Sequence, residues 1–123
     1  MESKMLSNGS DVKEALQELK SQKKFIEDRA LFYSGTPDEL TRIAAENIIN
    51  SALVKFIESP SDKFSKKEFW SILKVAATQL AKMDSEEMDR GLSYMEEIMD
   101  IYKIESSDGR LNEWRYGFDP SSH

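Results

Sequence analysis

Cysteine is absent from this 123-residue chain, and its single histidine is His123. The first absence excludes a disulfide framework, a thiolate zinc site, an iron–sulfur cluster and a cysteine nucleophile. The second leaves little room for His-based catalysis, since a triad would have to recruit His123, and excludes a multi-histidine metal site of the ferritin-like kind. No Gly-x-Ser-x-Gly elbow and no glycine-rich phosphate loop occurs. No stretch approaches the roughly 20 apolar residues of a membrane span, and Met1 to Ser10 hold no apolar run of signal-peptide length. The chain is therefore expected in the cytoplasm, with no cofactor.

What is present is charge, a third of all residues, with 23 acids against 17 bases and a net charge of −6. That balance disfavours nucleic acid and anionic membranes as partners. Residues 84–100 carry seven acids against Arg90 alone. The 39% hydrophobic residues suffice for one core, and the length suits one domain.

Apolar spacing is helical throughout, and no segment reads as an alternating strand. A first helix is expected from Asp11, with Glu14 as its capping-box partner. Val12, Ala15, Leu16, Leu19, Ile26, Ala30 and Tyr33 fall on one stripe, with Phe25 and Phe32 on the other side. Either one long helix carries two apolar patches, or the chain breaks near Ser21 to Lys24, which we favour. A second helix starts at Thr36-Pro37-Asp38-Glu39, with threonine as cap, proline at the first position and Glu39 closing the box. Its apolar positions, Leu40 to Ile57, cover over half the circumference and place it in the middle of the fold. Ser65 to Glu68 opens a third helix, with Phe64 and Phe69 as staple. Asp84 with Glu87 opens a fourth, whose stripe is Met88, Leu92, Met95, Ile98, Met99 and Tyr102. Leu111 to Trp114 suggest a short fifth.

The fold expected is all-α, a compact antiparallel bundle of four to five helices with the aromatic C-terminus packed on it. Residues 1–10 read as a flexible tail, 11–120 as the domain and 121–123 as a frayed end.

Glu86/Asp89 and Glu97/Asp100 are two Glu-x-x-Asp pairs, a spacing by which helical phosphohydrolases hold magnesium. Here the pairs lie about 16 Å apart along one helix and face away from its apolar stripe. A solvated acidic face outweighs that enzyme alternative. Glu46 is the charge nearest the apolar surface of the second helix, and a carboxylate satisfied by neighbours outweighs a catalytic one. The lysine clusters Lys20, Lys23, Lys24 and Lys63, Lys66, Lys67 read as solubilising surface. Trp114, Arg115, Tyr116 and Phe118 pack large side chains into a short C-terminal run. Self-packing is the first expectation for them, and contact with a partner or a second copy is the other. Phe25 and Phe32 are the remaining interaction candidates.

The run Met95-Glu96-Glu97-Ile98-Met99-Asp100, the turn Ser106-Ser107-Asp108-Gly109, Leu111-Asn112, Trp114 and Tyr116-Gly117-Phe118-Asp119-Pro120 resemble a bacterial domain-of-unknown-function family of small helical proteins. Lys67-Glu68-Phe69-Trp70 and Tyr33-Ser34-Gly35 are similar to the same pattern. The resemblance implies a bacterial source and a stand-alone domain, and brings no catalytic residues. The chain is expected to be a non-catalytic protein-interaction module, immunity- or antitoxin-like in kind. A magnesium-dependent phosphohydrolase and a small-ligand binder are the alternatives.

Overall fold

The computed structural model describes residues 5–117. The all-α expectation holds, with one small addition. A two-residue strand β1 (Met5–Leu6) precedes α1 (Ser10–Ser21), α2 (Glu39–Glu58), strand β2 (Phe64–Ser65), α3 (Lys66–Leu80), α4 (Ser85–Ile101) and α5 (Arg110–Gly117). β1 pairs antiparallel with β2, Met5 opposite Ser65 and Leu6 opposite Phe64. Helix α2 packs against α1, α3 and α4, which confirms its central place, and α5 rests on α3 and α4.

Local chemistry set several boundaries as expected. Ser65 accepts from the Glu68 N–H while Glu68 accepts from the Ser65 N–H, a complete capping box. Helix α1 ends at Ser21, so the chain does break before Lys24. Other boundaries moved. Asp38 rather than Thr36 caps α2, because its carboxylate reaches the Thr41 N–H (2.8 Å) and hydroxyl (3.0 Å). Gly9 precedes α1, with no side-chain cap. Leu40 and Ile43 belong to the apolar run of α2 yet are exposed, because α1, α3 and α4 leave that corner of its first turns uncovered.

The flexible-tail expectation is overturned for residues 5–9. Asn8 is fully buried. Its amide donates to the carbonyls of Phe56, Ser59 and Pro60, where α2 ends, and its oxygen accepts from the Tyr102 hydroxyl at 2.6 Å. One side chain thus satisfies carbonyls left over at a helix end and a buried phenol. Around it Phe56, Phe64, Phe69 and Tyr102 stack, with ring centroids 5.2–5.8 Å apart. Trp70 continues the cluster to Trp114 of α5. Gly91 lets α4 approach α3: a Cβ there would collide with the buried Leu80 side chain.

Candidate functional site

The segment between α1 and α2 is where backbone and side chains depart most from the expected helix. Phe25, Phe32 and Gly35 all adopt positive φ, at 62°, 54° and 89°. For a non-glycine residue the left-handed region costs roughly 1–2 kcal/mol, so each phenylalanine there needs an explanation. For Phe25 the explanation is burial. Its ring is sealed against Tyr33 and Tyr94, and its N–H donates to the Tyr94 hydroxyl at 2.9 Å. That overturns its reading as an interaction candidate, which assumed a continuous helix with Phe25 on an outer face. Phe32 is 96% exposed, touching water on nearly every side.

Two polar knots hold this segment in shape. In the first, the Glu46 carboxylate accepts from the Lys24 N–H (2.8 Å) and from Arg42 (2.9 Å), while Arg42 grips Glu39 through two further bonds. Burial works to raise Glu46, but these donors outweigh it and hold the carboxyl below its ordinary range. Lys24, assigned above to a solvated cluster, is fully buried. The α1 chain end curls over it, and its ammonium donates to the carbonyls of Leu19, Lys20 and Gln22. Burial pulls Lys24 below its usual value, with Glu46 and Glu97 opposing. A cation on the last carbonyls of a helix also meets the negative end of its dipole.

In the second knot the Tyr33 hydroxyl donates to Glu87 at 2.9 Å, with both groups buried. Burial and that carboxylate together hold the Tyr33 phenol above its ordinary value. Glu87 was expected to close a capping box at the start of α4; Tyr33 takes its carboxylate instead, and Asp84 caps without a side-chain bond. Backbone bonds between Asp28 and Tyr33 close the intervening turn, and the Asp28 carboxylate caps it by accepting from the Ala30 N–H. Arg90 spreads over the Tyr94 ring at 4.0 Å, donates to Ser93 and stands 3.6 Å from Asp28. The turn is pinned at both ends, and its tip, Leu31–Phe32, projects.

Beside the tip lies a cleft of about 260 Å³, lined by Leu31, Phe32, Tyr33, Glu86, Asp89, Arg90 and Ser93. A second, wider groove of about 560 Å³ shares Asp89 and Ser93 and runs on past Glu96 and Met99 to Ser107, Leu111, Arg115 and Tyr116. The four carboxylates considered for magnesium are divided between different surfaces. Glu86 and Asp89 line the first cleft, whereas Glu97 and Asp100 line a separate hollow against α1 with Ala15, Glu18 and Gln22. Asp89 is further engaged by Arg115 at 2.5 Å. Among the described residues no three acidic or histidine side chains converge on a metal position.

The C-terminal candidates split. Trp114 is buried against Trp70, so the self-packing expected first holds for it and its contact-surface reading falls: α5 folds its indole into the core. Arg115 ties α5 to α4 through Asp89 and lies 4.8 Å from the Tyr116 ring, which stays 60% exposed. Phe118 and residues 121–123 lie outside the described residues.

Sequence reasoning passed over Tyr94, Arg90, Leu31 and Ser93. Tyr94 adjoins Met95 on the apolar stripe and was detectable there. Asp28 ahead of Arg29-Ala30-Leu31 is a local signal for a capped turn. Arg90 and Ser93 carry no signal until the turn is placed over them.

The family model for a domain of unknown function, DUF4844, matches residues 7–119. A crystal structure of a DUF3571 family protein from Acinetobacter baumannii superimposes with a TM-score of 0.76 at 27% identity, covering 94% of this chain and 96% of that one. Neither description names an activity. No curated protein matches. No described helix is long and apolar enough to cross a membrane.

Proposed function

The chain belongs to the DUF4844 family of domains of unknown function, and from that premise we propose that it is a non-catalytic protein-interaction module whose contact surface centres on Leu31 and Phe32. The observation that carries this reading is the contrast within one loop. Phe25 and Phe32 share the same unfavourable backbone region, and burial offsets the strain only for Phe25. Phe32 combines a strained backbone with a ring in water, a double cost of the kind that clusters at contact and ligand sites. Ile26, Leu31, Leu40 and Ile43 are also exposed and lie on the same loop and the start of the next helix. The two knots beneath keep the turn in one shape, so that binding there loses little ordering entropy.

The test is a full-length Phe32→Asn variant. Asparagine tolerates the left-handed region, so folding is retained. Expressed with an affinity tag in its native host and sized by gel filtration, the wild type should elute with a second protein and the variant alone, at equal thermal stability. Co-elution that survives the substitution would rule this surface out.

A further inference from the structure

The acids of α4 and the two adjoining hollows form one feature. Glu86, Asp89, Ser93 and Glu96 follow one another at spacings of three, four and three residues, which places them in a row on one helix face. The first cleft contains Glu86, Asp89 and Ser93; the second contains Asp89, Ser93 and Glu96 and reaches Met99 and Glu105. Shared lining at Asp89 and Ser93 makes them one trough. From Glu86 to Met99 its floor runs roughly 20 Å, at 1.5 Å per helical residue. An extended peptide of about six residues spans that length.

Aromatic rings stand on the two sides of the trough, Phe32 on the turn that precedes α2 and Tyr116 on α5, and both rings are exposed. Between them the free charge is negative. Arg90 is stacked on Tyr94 and faces Asp28, and Arg115 is engaged by Asp89, so both cations already have partners. Glu86, Glu96 and Glu105 are exposed acids lining the trough. Extended chain sends alternate side chains to opposite faces. A segment with basic side chains towards the acid row and apolar ones against Leu31, Phe32 and Tyr116 matches both features.

We propose that the trough along α4 docks an extended, basic, partly apolar segment of the partner protein, about six residues long. The assignment deepens the interaction reading above and rests on it. Phe32 on one wall and Tyr116 on the other offer apolar contacts, and Glu86 and Glu96 select positive charge.

The probe is an acetylated, amidated hexapeptide of alternating lysine and leucine, with its glutamate–leucine counterpart as control, followed by backbone amide chemical shifts of the whole chain. The lysine peptide should move resonances of residues 31–33, 86–96 and 105–116 together, and its binding should weaken severalfold between about 0.05 and 0.5 M salt as screening increases. Glu86→Lys with Glu96→Lys changes two exposed side chains, leaves the amide spectrum folded, and should weaken the peptide at least tenfold. Equal binding of the glutamate peptide, shifts confined to other surfaces, or indifference to the double charge reversal each overturns the assignment. If the lysine peptide fails while Phe32→Asn still dissolves the native complex, only the basic-segment assignment falls. A native complex that survives Phe32→Asn removes the interaction reading itself.

Discussion

The two ends of the bundle use the same residue types to opposite purpose. At one end Phe56, Phe64, Phe69, Tyr102, Trp70 and Trp114 turn inward around a single amide, that of Asn8. At the other end Phe25, Tyr33 and Tyr94 turn inward, while Phe32, Leu31 and Leu40 turn out over charged knots. The first end is closed by packing. The second is held by hydrogen bonds between charged and phenolic groups, leaving apolar surface free. Packing offers the first arrangement no reason to expose anything, and the directionality of hydrogen bonds lets the second hold a loop in an unfavourable shape without covering it.

The largest effect expected of this contrast is at the closed end. Phe56→Ala removes a fully buried ring that touches three others and should cost about 3–5 kcal/mol in urea unfolding, against no measurable loss for truncation of Phe32. A loss below about 1 kcal/mol would show that the aromatic cluster does not hold that end. Next comes Asn8→Ala, which strands the Tyr102 hydroxyl and the carbonyls at the end of α2. About 1–3 kcal/mol should disappear, since buried groups lose their partners. Tyr33→Phe tests the open end. Leaving Glu87 without its donor should cost about 1–2 kcal/mol and speed proteolysis between Glu27 and Thr36. Unchanged cleavage there would mean that the turn is held by its backbone alone.

Alkaline pH sharpens the comparison further. Burial holds Tyr33, Tyr94 and Tyr102 above the ordinary value of 10.0. The unfolded chain therefore releases those protons first, so stability is whole below about pH 10 and falls as pH rises beyond it. Lys24 acts in the opposite sense, because its folded value lies below 10.5 and the unfolded chain binds more protons just under that pH. Three phenols against one ammonium predict net alkaline loss. Urea midpoints from pH 8 to 11 should fall less steeply in Tyr102→Phe, and in Tyr33→Phe or Tyr94→Phe, than in the wild type. The smallest effect is Phe32→Asn, expected to leave stability unchanged or raise it by a few tenths of a kcal/mol, up to about 1, through relief of backbone strain.

Features written in neighbouring residues were legible beforehand. Ser65 and Glu68 cap each other across three positions, and the apolar stripes of α3 and α4 needed no distant partner. Glu87 shows where such reasoning stops: its local pattern is a capping box, and a tyrosine 54 residues away takes the carboxylate. Phe25 and Phe32 are the same residue type seven positions apart, a spacing that shares a face only if the helix continues. With the break after Ser21, backbone geometry and Tyr94 decide which ring is buried. Lys24 lay in a cluster of lysines, and nothing in its neighbours tells that the chain end of α1 curls over it. The acid row on α4 was visible as composition. Its walls were not, since they come from the turn at Leu31 and from α5.

The bond between Asn8 and Tyr102 joins positions 94 apart in the chain. During synthesis Asn8 leaves the ribosome long before its acceptors and donor exist, and that bond cannot form until α4 has been completed. Contacts of such long range are slow to form because loop-closure entropy comes first. The aromatic end must therefore stay ajar through most of translation, with Phe56 and Phe64 waiting on Tyr102, made dozens of codons later. Until Tyr102 is in place that end offers its rings to solvent, whereas the turn at Phe32 keeps its ring in water even in the finished fold.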